Sequence, residues 1–580
     1  MSKRRLLVTA VIALVCALCL AVSLSGCGTE SDGDFKYTWE ESLGGYSVSA
    51  DRSSYGEELV IPSSYEGKPV VAIGHNAFEG CRGFKRLVIP SSVKKIQYEA
   101  FKNCTDLEQI TFPSSGVDSI GNSVFYGCDS LKKVALPKGI KIVSNSMFYG
   151  CDALEEVVLP DGVLSIVDRA FARCLNLKSI TVPSSVLRIG DSVFYNCPSL
   201  ASVNFAKGSV LEDIGRQAFY GCTALESITL PGELASIGTN AFAYCDSLEL
   251  IAFTGSKLSQ IGPSAFIGCH ALDGVDIADL ANWCSVSFLG DDYSNPIYLG
   301  QKIYHNGELV LRLEIPQGVT SISARAFKNA TRIVSVTIPD TMHYAEGTIG
   351  EDAFRYCYKL AEIHNFSKLQ IPVEASELDE LGYIGAYLRD VPYYYSEEYP
   401  EDGVFPYGAA GTIYERDEAF AKNNKGERIL QTNIYREGDF LFYKNDKTGH
   451  YLLEYVGSES EIVLPELKES YGIFTGAFFG QRGVTKVVVP ECVTEIWHFA
   501  FYSCSDLKHI YIPASVKSFG ERLFGKCDGL VIDLESDEHN VGWKPNWADP
   551  TDKEIISINY AAKKAELSWI KEMLEKQITE

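Results

Sequence analysis

The stretch "AFARCLNLKSITVPSSVLRIG", residues 170–190, decides the fold of this chain. A phenylalanine is followed three residues later by a cysteine, then by a leucine, an alternating apolar run, a proline and a second short apolar segment. The pattern A-F-x-x-C-x-x-L-x-x-I-x-[VILF]-P-x-x-V-x-x-I-G returns along most of the 580 residues. A fixed period of roughly 20 to 29 residues is typical of a solenoid in which each repeat forms one coil.

The repeats follow one another without interruption in the first half of the chain. From Phe78 with Cys81 to Phe266 with Cys269, phenylalanines recur every 23 to 25 residues, each with a cysteine three positions later. Five later units complete a predicted stack of about 14 coils; their phenylalanines are Phe327, Phe354, Phe478, Phe501 and Phe524.

Each coil has a predictable local structure. The segment "LKSITVP" predicts a short strand with Ile180 and Val182 facing inward, and Pro183 ends it because proline has no N–H for the ladder. "VLRIG" predicts a second short strand, and "DSVFYNC" a tight helical or 3₁₀ turn. Equivalent strands of successive coils should pair in parallel, in a right-handed stack.

The repeated cysteines are open to three interpretations. Zinc needs four ligands around one point, whereas these thiols are spread one per coil, and the one C-x-x-C pair, Cys16 with Cys19, lies in the apolar leader. Disulfides are harder to exclude, although side chains in a parallel column hold their Cβ atoms slightly too far apart. We favour a buried ladder of free thiols, which behave as small hydrophobes. Cys284 and Cys492 lie off the ladder and remain unassigned.

The repeat resembles a known family. "AFYGCTALESITLPGELASIG", residues 218–238, is similar to the leucine-rich repeats of the Bacteroides surface protein A (BspA) type. The resemblance implies a β-rich leucine-rich repeat solenoid of the horseshoe class. It extends to the interruptions: residues 279–316 resemble an insert of the family, 438–465 its hairpin-like restart, and 35–62 a first version of that hairpin. Membership implies a surface-displayed protein that binds host or neighbouring-cell partners, in some members as an adhesin, but it supplies no ligand residues for this chain.

The first residues predict export and anchoring. A basic start precedes an apolar run from Leu6 to Leu24, and "LSGC" resembles a lipobox whose cysteine, Cys27, becomes lipid-bearing. An uncleaved membrane anchor is the alternative. The polar segment "GTESDGD" after Cys27 resembles a tether. We therefore expect a protein of the cell envelope, lipid-anchored and exposed at the surface.

The whole chain divides into predicted segments. They are a signal peptide (1–26), a tether (27–34), an N-terminal cap hairpin (35–66), the main solenoid (67–278), an insert with two repeats (279–372), a long Tyr-rich insert and hairpin (373–471), closing repeats (472–535), and a C-terminal cap and helix (536–580). In the last segment Leu567, Ile570, Leu574 and Ile578 share one helical face, which predicts a helix covering the open end of the solenoid. Trp543 and Trp547 are expected to be end-cap residues.

Charge and motifs restrict the function. The formal net charge of −24 repels phosphate backbones and argues against nucleic-acid binding. Phosphate-loop, zinc-protease, serine-hydrolase and EF-hand motifs are absent from the sequence, so we expect no enzyme, no cofactor and no metal. We predict a recognition scaffold that binds a protein or glycan on a host cell, a matrix or a neighbouring cell. The alternative is an envelope enzyme or nutrient-capture lipoprotein with its site in the inserts.

One column of charges suggests a contact surface. The residue after the strand leucine alternates in sign over the first coils, which predicts cross-strand ion pairs: Lys85, Glu108, Lys132, Glu155 and Lys178. After Ala201 it is acidic at Glu226, Glu249 and Asp273, with no basic partner in the same column. This acidic line is either a solvated edge or a contact for a cation or a basic patch of the partner.

The long insert offers a second candidate. Tyr393, Tyr394, Tyr395 and Tyr399 lie among acidic residues in "DVPYYYSEEYPEDGVFPYGAAGTIYER", residues 390–416. Tyrosine gives rigid contact area for protein or sugar partners. The alternative is a loop that packs its own aromatic rings against neighbouring coils.

Overall fold

The structure is a computed structural model in which the chain forms two compact units, Met1–Glu308 and Leu309–Glu580, called here the first and second unit. They contain about 19 turns of parallel strand with little helix, which confirms the predicted leucine-rich repeat solenoid. The count exceeds the 14 phenylalanine-marked coils because some coils lack that signature. The residues described are 30–300, 302–342, 348–357, 359–369, 412–415, 420–422, 428–446, 449–536, 547 and 556–579.

In the first unit, each coil contributes one strand to what we call the long-strand ladder. Neighbouring strands pair in parallel one repeat apart, so that Val134 lies beside Val157 and Val157 beside Ile180. The ladder consists of two sheets, which divide between Ser202–Phe205 and Ser227–Leu230. A two-residue strand, Glu308–Leu309, follows the last of them. The ladder strands are Glu58–Val60, Arg86–Val88, Gln109–Thr111, Lys133–Ala135, Glu156–Val158, Ser179–Val182, Ser202–Phe205, Ser227–Leu230, Leu250–Phe253, Gly274–Ile277 and Lys302–His305.

A second ladder of shorter strands forms another side of the same coils. It starts from a hairpin, in which Phe35–Glu40 pairs antiparallel with Gly45–Ala50, and Gly45–Ala50 then pairs in parallel with Lys68–Ile73. Glu30–Ser31 and Ser64–Tyr65 add short antiparallel strands to this start. The strands that follow are Lys95–Ile96, Ser119–Ile120, Ile142–Val143, Ser165–Ile166, Arg188–Ile189, Asp213–Ile214, Ser236–Ile237, Gln260–Ile261 and Ser287–Phe288.

The segment around each phenylalanine is a series of turns, so the predicted helical or 3₁₀ turn is wrong. In one such series, the amides of Lys102 and Cys104 bond to carbonyls three residues earlier, while those of Phe101 and Asn103 bond to the next coil. Two residues flanking the phenylalanine, Glu99 (φ 55°) and Asn103 (φ 58°), have left-handed backbones. A right-handed helix cannot pass through such residues, and the alternate amides are thereby freed for the neighbouring coil.

The phenylalanines and cysteines form two parallel columns in the core. Phenylalanine rings from Phe78 to Phe266 stack with centroids 5.1 to 5.7 Å apart. From Cys104 to Cys269, each ladder thiol donates to the phenylalanine carbonyl of the preceding coil, as Cys174 Sγ does to Phe148 O at 3.2 Å, whereas Cys81 donates to Arg52 O. Cys174 is fully buried and unpaired with any other sulfur. The structure thus places the ladder cysteines in the core as free thiols, as the sequence predicts.

The insert of the first unit contains two one-turn helices, Leu280–Trp283 and Ile297–Gly300, and the 3₁₀ turn Asp292–Ser294. Cys284, unassigned from sequence, caps the first helix, where its amide bonds to Leu280 O and its side chain is buried. Burial raises the pKa of the Cys284 thiol to about 12. This cysteine is therefore a core residue of the insert.

The second unit repeats the same plan around a new hairpin. Ile434–Glu437, Phe440–Asn445 and Gly449–Tyr455 pair antiparallel, and Gly449–Tyr455 then pairs in parallel with Tyr471–Ile473. Cys492 is half-buried beside that strand, with its thiol 3.6 Å from Pro465 O. The other strands are Arg312–Glu314, Ser335–Ile338, Glu362–Asn365, Thr412–Glu415, Phe420–Lys422, Arg428–Leu430, Glu461–Val463, Lys486–Val488, Val493–Ile496, His509–Ile512, Ser518–Phe519, Val531–Leu534 and Ser557–Tyr560.

A buried charge group joins two coils of the second unit to its hairpin. Arg332 and Lys359 occupy the same position on successive coils, and both contact the carboxylate of Glu454, with Arg332 Nη2 2.5 Å from Glu454 Oε1. Arg332 also donates to Tyr455 O at 3.1 Å. Burial lowers the pKa of Lys359 to about 8, against the opposing attraction of Glu454.

The second unit ends in a 3₁₀ turn, Lys564–Glu566, and a helix, Ser568–Thr579, called here the C-terminal helix. The sequence predicts that this helix covers the open end of the solenoid. Instead, Ile570 and Met573 pack with Val488 and Tyr511, which lie on the strands Lys486–Val488 and His509–Ile512. Trp547 is buried at the end of the core, as expected of an end-cap residue. Its ring centroid lies 4.7 Å from that of Phe519 and 6.2 Å from that of Phe524. Trp543 lies outside the described residues.

Candidate binding surface

The long-strand ladder of the first unit has one face in the core and one face in solvent. In Gln109–Thr111 the middle residue Ile110 is buried while Gln109 and Thr111 are exposed, and Glu156–Val158 repeats this alternation. Because the coils stack in register, the outward residues form two columns. We call these columns the outward face of the first unit. Over Ser227–Leu230, Leu250–Phe253 and Gly274–Ile277 they contain Ser227, Leu250 and Gly274 in one column, and Thr229, Ala252 and Asp276 in the other. On the last strand the two columns continue to Lys302 and Tyr304.

The charge column beside this face is neutralised over the first coils. Glu108 is bound by both neighbours, Lys85 at 3.4 Å and Lys132 at 2.9 Å, and Glu155 is bound by Lys178 at 2.8 Å. The hydrogen bond from Lys132, and then that from Lys85, holds the pKa of Glu108 below its ordinary value. The predicted cross-strand pairs are therefore confirmed for this part of the column.

The predicted acidic line forms on successive coils. The amide of Glu249 bonds to Glu226 O at 2.8 Å, and the amide of Asp273 bonds to Glu249 O at 2.9 Å. Asp273 does have a basic partner, since Lys302 Nζ lies 2.5 Å from its Oδ2. This pair could not be read from the repeat pattern because Lys302 pairs with Gly274 in the adjacent column and follows a longer, insert-bearing coil.

Two carboxylates of the acidic line remain in solvent. Glu226 and Glu249 are exposed, and among the residues that the structure describes no salt bridge neutralises either one. Beside them lies Leu250, an apolar side chain of the outward face that is 38% exposed. Period-two alternation in "LELIAFTG" was a signal that could have identified it.

A further carboxylate on the same face was not predicted. Asp276 is half-buried, and its Oδ1 is shielded from water without a hydrogen-bond partner in the described part of the chain. A buried acceptor without a donor costs the fold free energy. No sequence pattern distinguishes this aspartate from other surface acids.

Other predicted site residues cannot be placed. Cys27 and the tyrosines Tyr393, Tyr394, Tyr395 and Tyr399 lie outside the described residues. Among the described histidines, cysteines, aspartates and glutamates, no three meet where they could hold a metal ion. Of the described helices, none has the length and apolar character to span a bilayer.

Comparison with protein families gives a direct assignment. The model of the "BspA type Leucine rich repeat region (6 copies)" matches residues 71–201, 165–291, 294–375 and 446–540, well over half of the chain. The chain belongs to the BspA-type leucine-rich repeat family. Proteins of this family are generally non-enzymatic binding scaffolds. A comparison with curated proteins gives no match.

Several solved structures are similar to this chain. A leucine-rich repeat protein from Bacteroides ovatus is 21% identical, with 84% of this chain and 95% of that chain covered and a TM-score of 0.36. A leucine-rich cell surface protein from Faecalibacterium prausnitzii is 23% identical, with 59% and 95% covered and a TM-score of 0.30. The pneumococcal vaccine antigen PcpA is 19% identical, with 60% and 89% covered and a TM-score of 0.35.

Proposed function

We propose that this BspA-type protein is a lipid-anchored, surface-displayed recognition scaffold that binds a protein or glycan of a host, a matrix or a neighbouring cell. Its outward face is an extended, solvent-exposed surface on a rigid ladder, and such a repeat surface suits contact with a large partner. The observation that carries the proposal is the pair of unneutralised carboxylates, Glu226 and Glu249, on a column whose earlier members are paired.

Display at the cell surface is part of the proposal. It is supported by the leader with its lipobox-like "LSGC", and by two similar proteins, the leucine-rich cell surface protein from Faecalibacterium prausnitzii and the pneumococcal vaccine antigen PcpA. A lipid on Cys27 would hold the protein at a membrane through its buried CH₂ groups. The tether after Cys27 would keep the repeats clear of the lipid.

The Tyr-rich insert is proposed as a second contact surface, with Tyr393, Tyr394, Tyr395 and Tyr399 as its candidate residues. This rests on composition alone, since aromatic residues among acids suit protein and sugar partners. Replacing the four tyrosines with serine should weaken partner capture; capture at wild-type strength would remove the insert from the site.

The test is capture of host and matrix proteins, together with a glycan array, by the fragment 28–580. Once a partner is identified, Glu226→Lys with Glu249→Lys should weaken its binding because the two carboxylates become cations. The matched control is Glu108→Lys with Glu155→Lys, which changes the same charge on the same column but removes internal ion pairs. That control should mainly lower stability. Failure to capture any protein or glycan would contradict the proposed function.

A further inference from the structure

In the second unit the C-terminal helix packs on the strands Lys486–Val488, His509–Ile512 and Val531–Leu534, which pair in parallel as the strands of the first unit's long-strand ladder do. Ile570 and Met573 of the C-terminal helix are buried in one cluster with Val488 and Tyr511. The indole of Trp569 donates from Nε1 to Asp533 Oδ2 at 2.8 Å. Apolar side chains thus cover the middle of the face, and one donor satisfies a carboxylate on it.

The same positions exist in the first unit. Asp533 lies between the inward residues Ile532 and Leu534 of its strand, and its column continues to Tyr511. Asp276 lies between the inward residues of Gly274–Ile277, and its column continues to Ala252. Asp276 is therefore the positional equivalent of Asp533. Asp533 accepts from Asn559 of the next strand at Oδ1 and from Trp569 of the helix at Oδ2, whereas Asp276 Oδ1 is buried without a hydrogen-bond partner among the described residues.

The spacing of the ladder suits a helix. Side chains three or four residues apart on a helix advance by roughly 4.5 to 6 Å along its axis, and neighbouring strands are about 4.8 Å apart. A helix that runs along the stack therefore presents one side chain to each coil. On the first unit these side chains would meet Thr229, Leu250 and Ala252, which are small or apolar and at least partly exposed.

The charge of the occupant differs between the two units. The second unit has Thr485 and Lys508 beside its helix-covered face, each preceding a long strand as Glu226 and Glu249 do in the first unit. The first unit is therefore acidic where the second unit is neutral or basic. Charge complementarity then selects a basic helix for the first unit, not a copy of the chain's own C-terminal helix.

We propose that the outward face over Ser227–Leu230, Leu250–Phe253 and Gly274–Ile277 binds a basic amphipathic helix of a partner protein. Its apolar side chains pack on Leu250 and Ala252, its basic side chains meet Glu226 and Glu249, and one of its donors bonds to Asp276. This inference rests on the proposed recognition function and specifies the class of partner.

The test uses the full-length protein and a fluorescein-labelled synthetic helix with leucine at positions i, i+3 and i+7 and lysine on both flanks. A second probe carries glutamate in place of every lysine. Fluorescence anisotropy should give saturable binding of the lysine helix, at least tenfold tighter than that of the glutamate helix and weakened by salt. Absence of saturable binding, or equal binding of the two probes, would overturn the proposal.

Variants locate the binding face. Leu250→Glu and the pair Glu226→Lys with Glu249→Lys should each weaken binding of the lysine helix at least fivefold, and Asp276→Ala at least threefold. The control is Val158→Glu, which adds a carboxylate to the same outward face three coils before Thr229 and should leave binding unchanged. Unchanged affinity in the first two variants, or an equal loss in the control, would place the helix elsewhere. Circular dichroism and urea unfolding of each variant separate loss of binding from loss of fold.

The two proposals can fail separately. A captured partner that binds Leu250→Glu as tightly as wild type would overturn the helix site and leave the recognition scaffold standing. Conversely, saturable helix binding at this face with no partner found on cells or matrix would support the site while contradicting the proposed function.

Discussion

Each ladder thiol fills a core position and also bonds to the neighbouring coil. Cys174→Ala should lower the free energy of unfolding by only about 1 to 2 kcal/mol, because Phe148 O keeps the amide of Cys151 as a donor. Cys174→Ser, which retains a donor at that position, is the matched comparison. Urea unfolding measures both; a loss as large as that of a phenylalanine would contradict the proposed role of the thiol.

The phenylalanine column carries more of the stability than the thiols. Phe171 lies between Phe148 and Phe194, with ring centroids 5.5 and 5.6 Å away, and is fully buried. Phe171→Ala should cost about 3 to 5 kcal/mol because it opens a cavity bordered by three coils. The more conservative Phe171→Leu should cost less. Equal urea midpoints for Phe171→Ala and wild type would show that the column is not packed as described.

Lys359 makes stability depend on pH. Its pKa is about 8 in the folded protein and higher when unfolded, so between about pH 8 and 10.5 the unfolded chain binds more protons. The Lys359 contribution to stability therefore rises with pH across that window. Lys359→Met has no such contribution, so wild type should gain stability relative to this variant between urea titrations at pH 7.5 and 9.5. A difference independent of pH would contradict the burial of a charged Lys359.

At the scale of elements, the C-terminal helix is held by a small apolar cluster. Ile570→Asp with Met573→Asp should detach it, because both side chains are about 1% exposed in the docked state. Hydrogen–deuterium exchange should then become fast over Ser568–Thr579, while His509–Ile512 stays protected by its pairing with both neighbouring strands. Simultaneous loss of protection in that strand would mean that the helix is required for the coils.

The sequence identifies strands better than turns. Alternation in "LKSITVP" predicts the strand because one face must be buried, and Ile180 and Val182 are indeed in the core. The turns contain residues with left-handed backbones, such as Ser146, Arg169 and Gln217. Glycine is the residue that usually marks such positions in a sequence, and none of these three is glycine, so the turns could not be predicted. The amphipathic pattern around Ile570 likewise predicts a helix, but the surface it covers depends on Val488 and Tyr511, far away in sequence.

The candidate site was predictable where its residues follow the repeat period. Glu226 and Glu249 could be aligned because both stand a fixed number of residues after a ladder phenylalanine. Lys302 and Asp276 could not be assigned, since the first follows an insert that breaks the period. The exceptional state of Asp276 depends on which donors surround it in space.

At the scale of the whole molecule, the anchor is the feature to test. Cells that express the wild-type chain should incorporate a labelled fatty acid into the protein and retain it in the membrane fraction. Cys27→Ala should incorporate none, because the lipid is proposed to be carried on that cysteine. Equal labelling of the two proteins would contradict the lipobox interpretation.

The hydrogen bonds from the ladder thiols also bear on the redox chemistry of the protein. Each bond exists only while its sulfur keeps a hydrogen, and burial raises the pKa of Cys197 to about 12, so that little reactive thiolate forms. The described coils are held together by van der Waals packing and by hydrogen bonds from S–H groups, and their cysteines form no disulfides. Such a core matures without an oxidising catalyst and keeps its stability in anoxic or reducing surroundings, where disulfide-dependent repeat proteins would lose theirs.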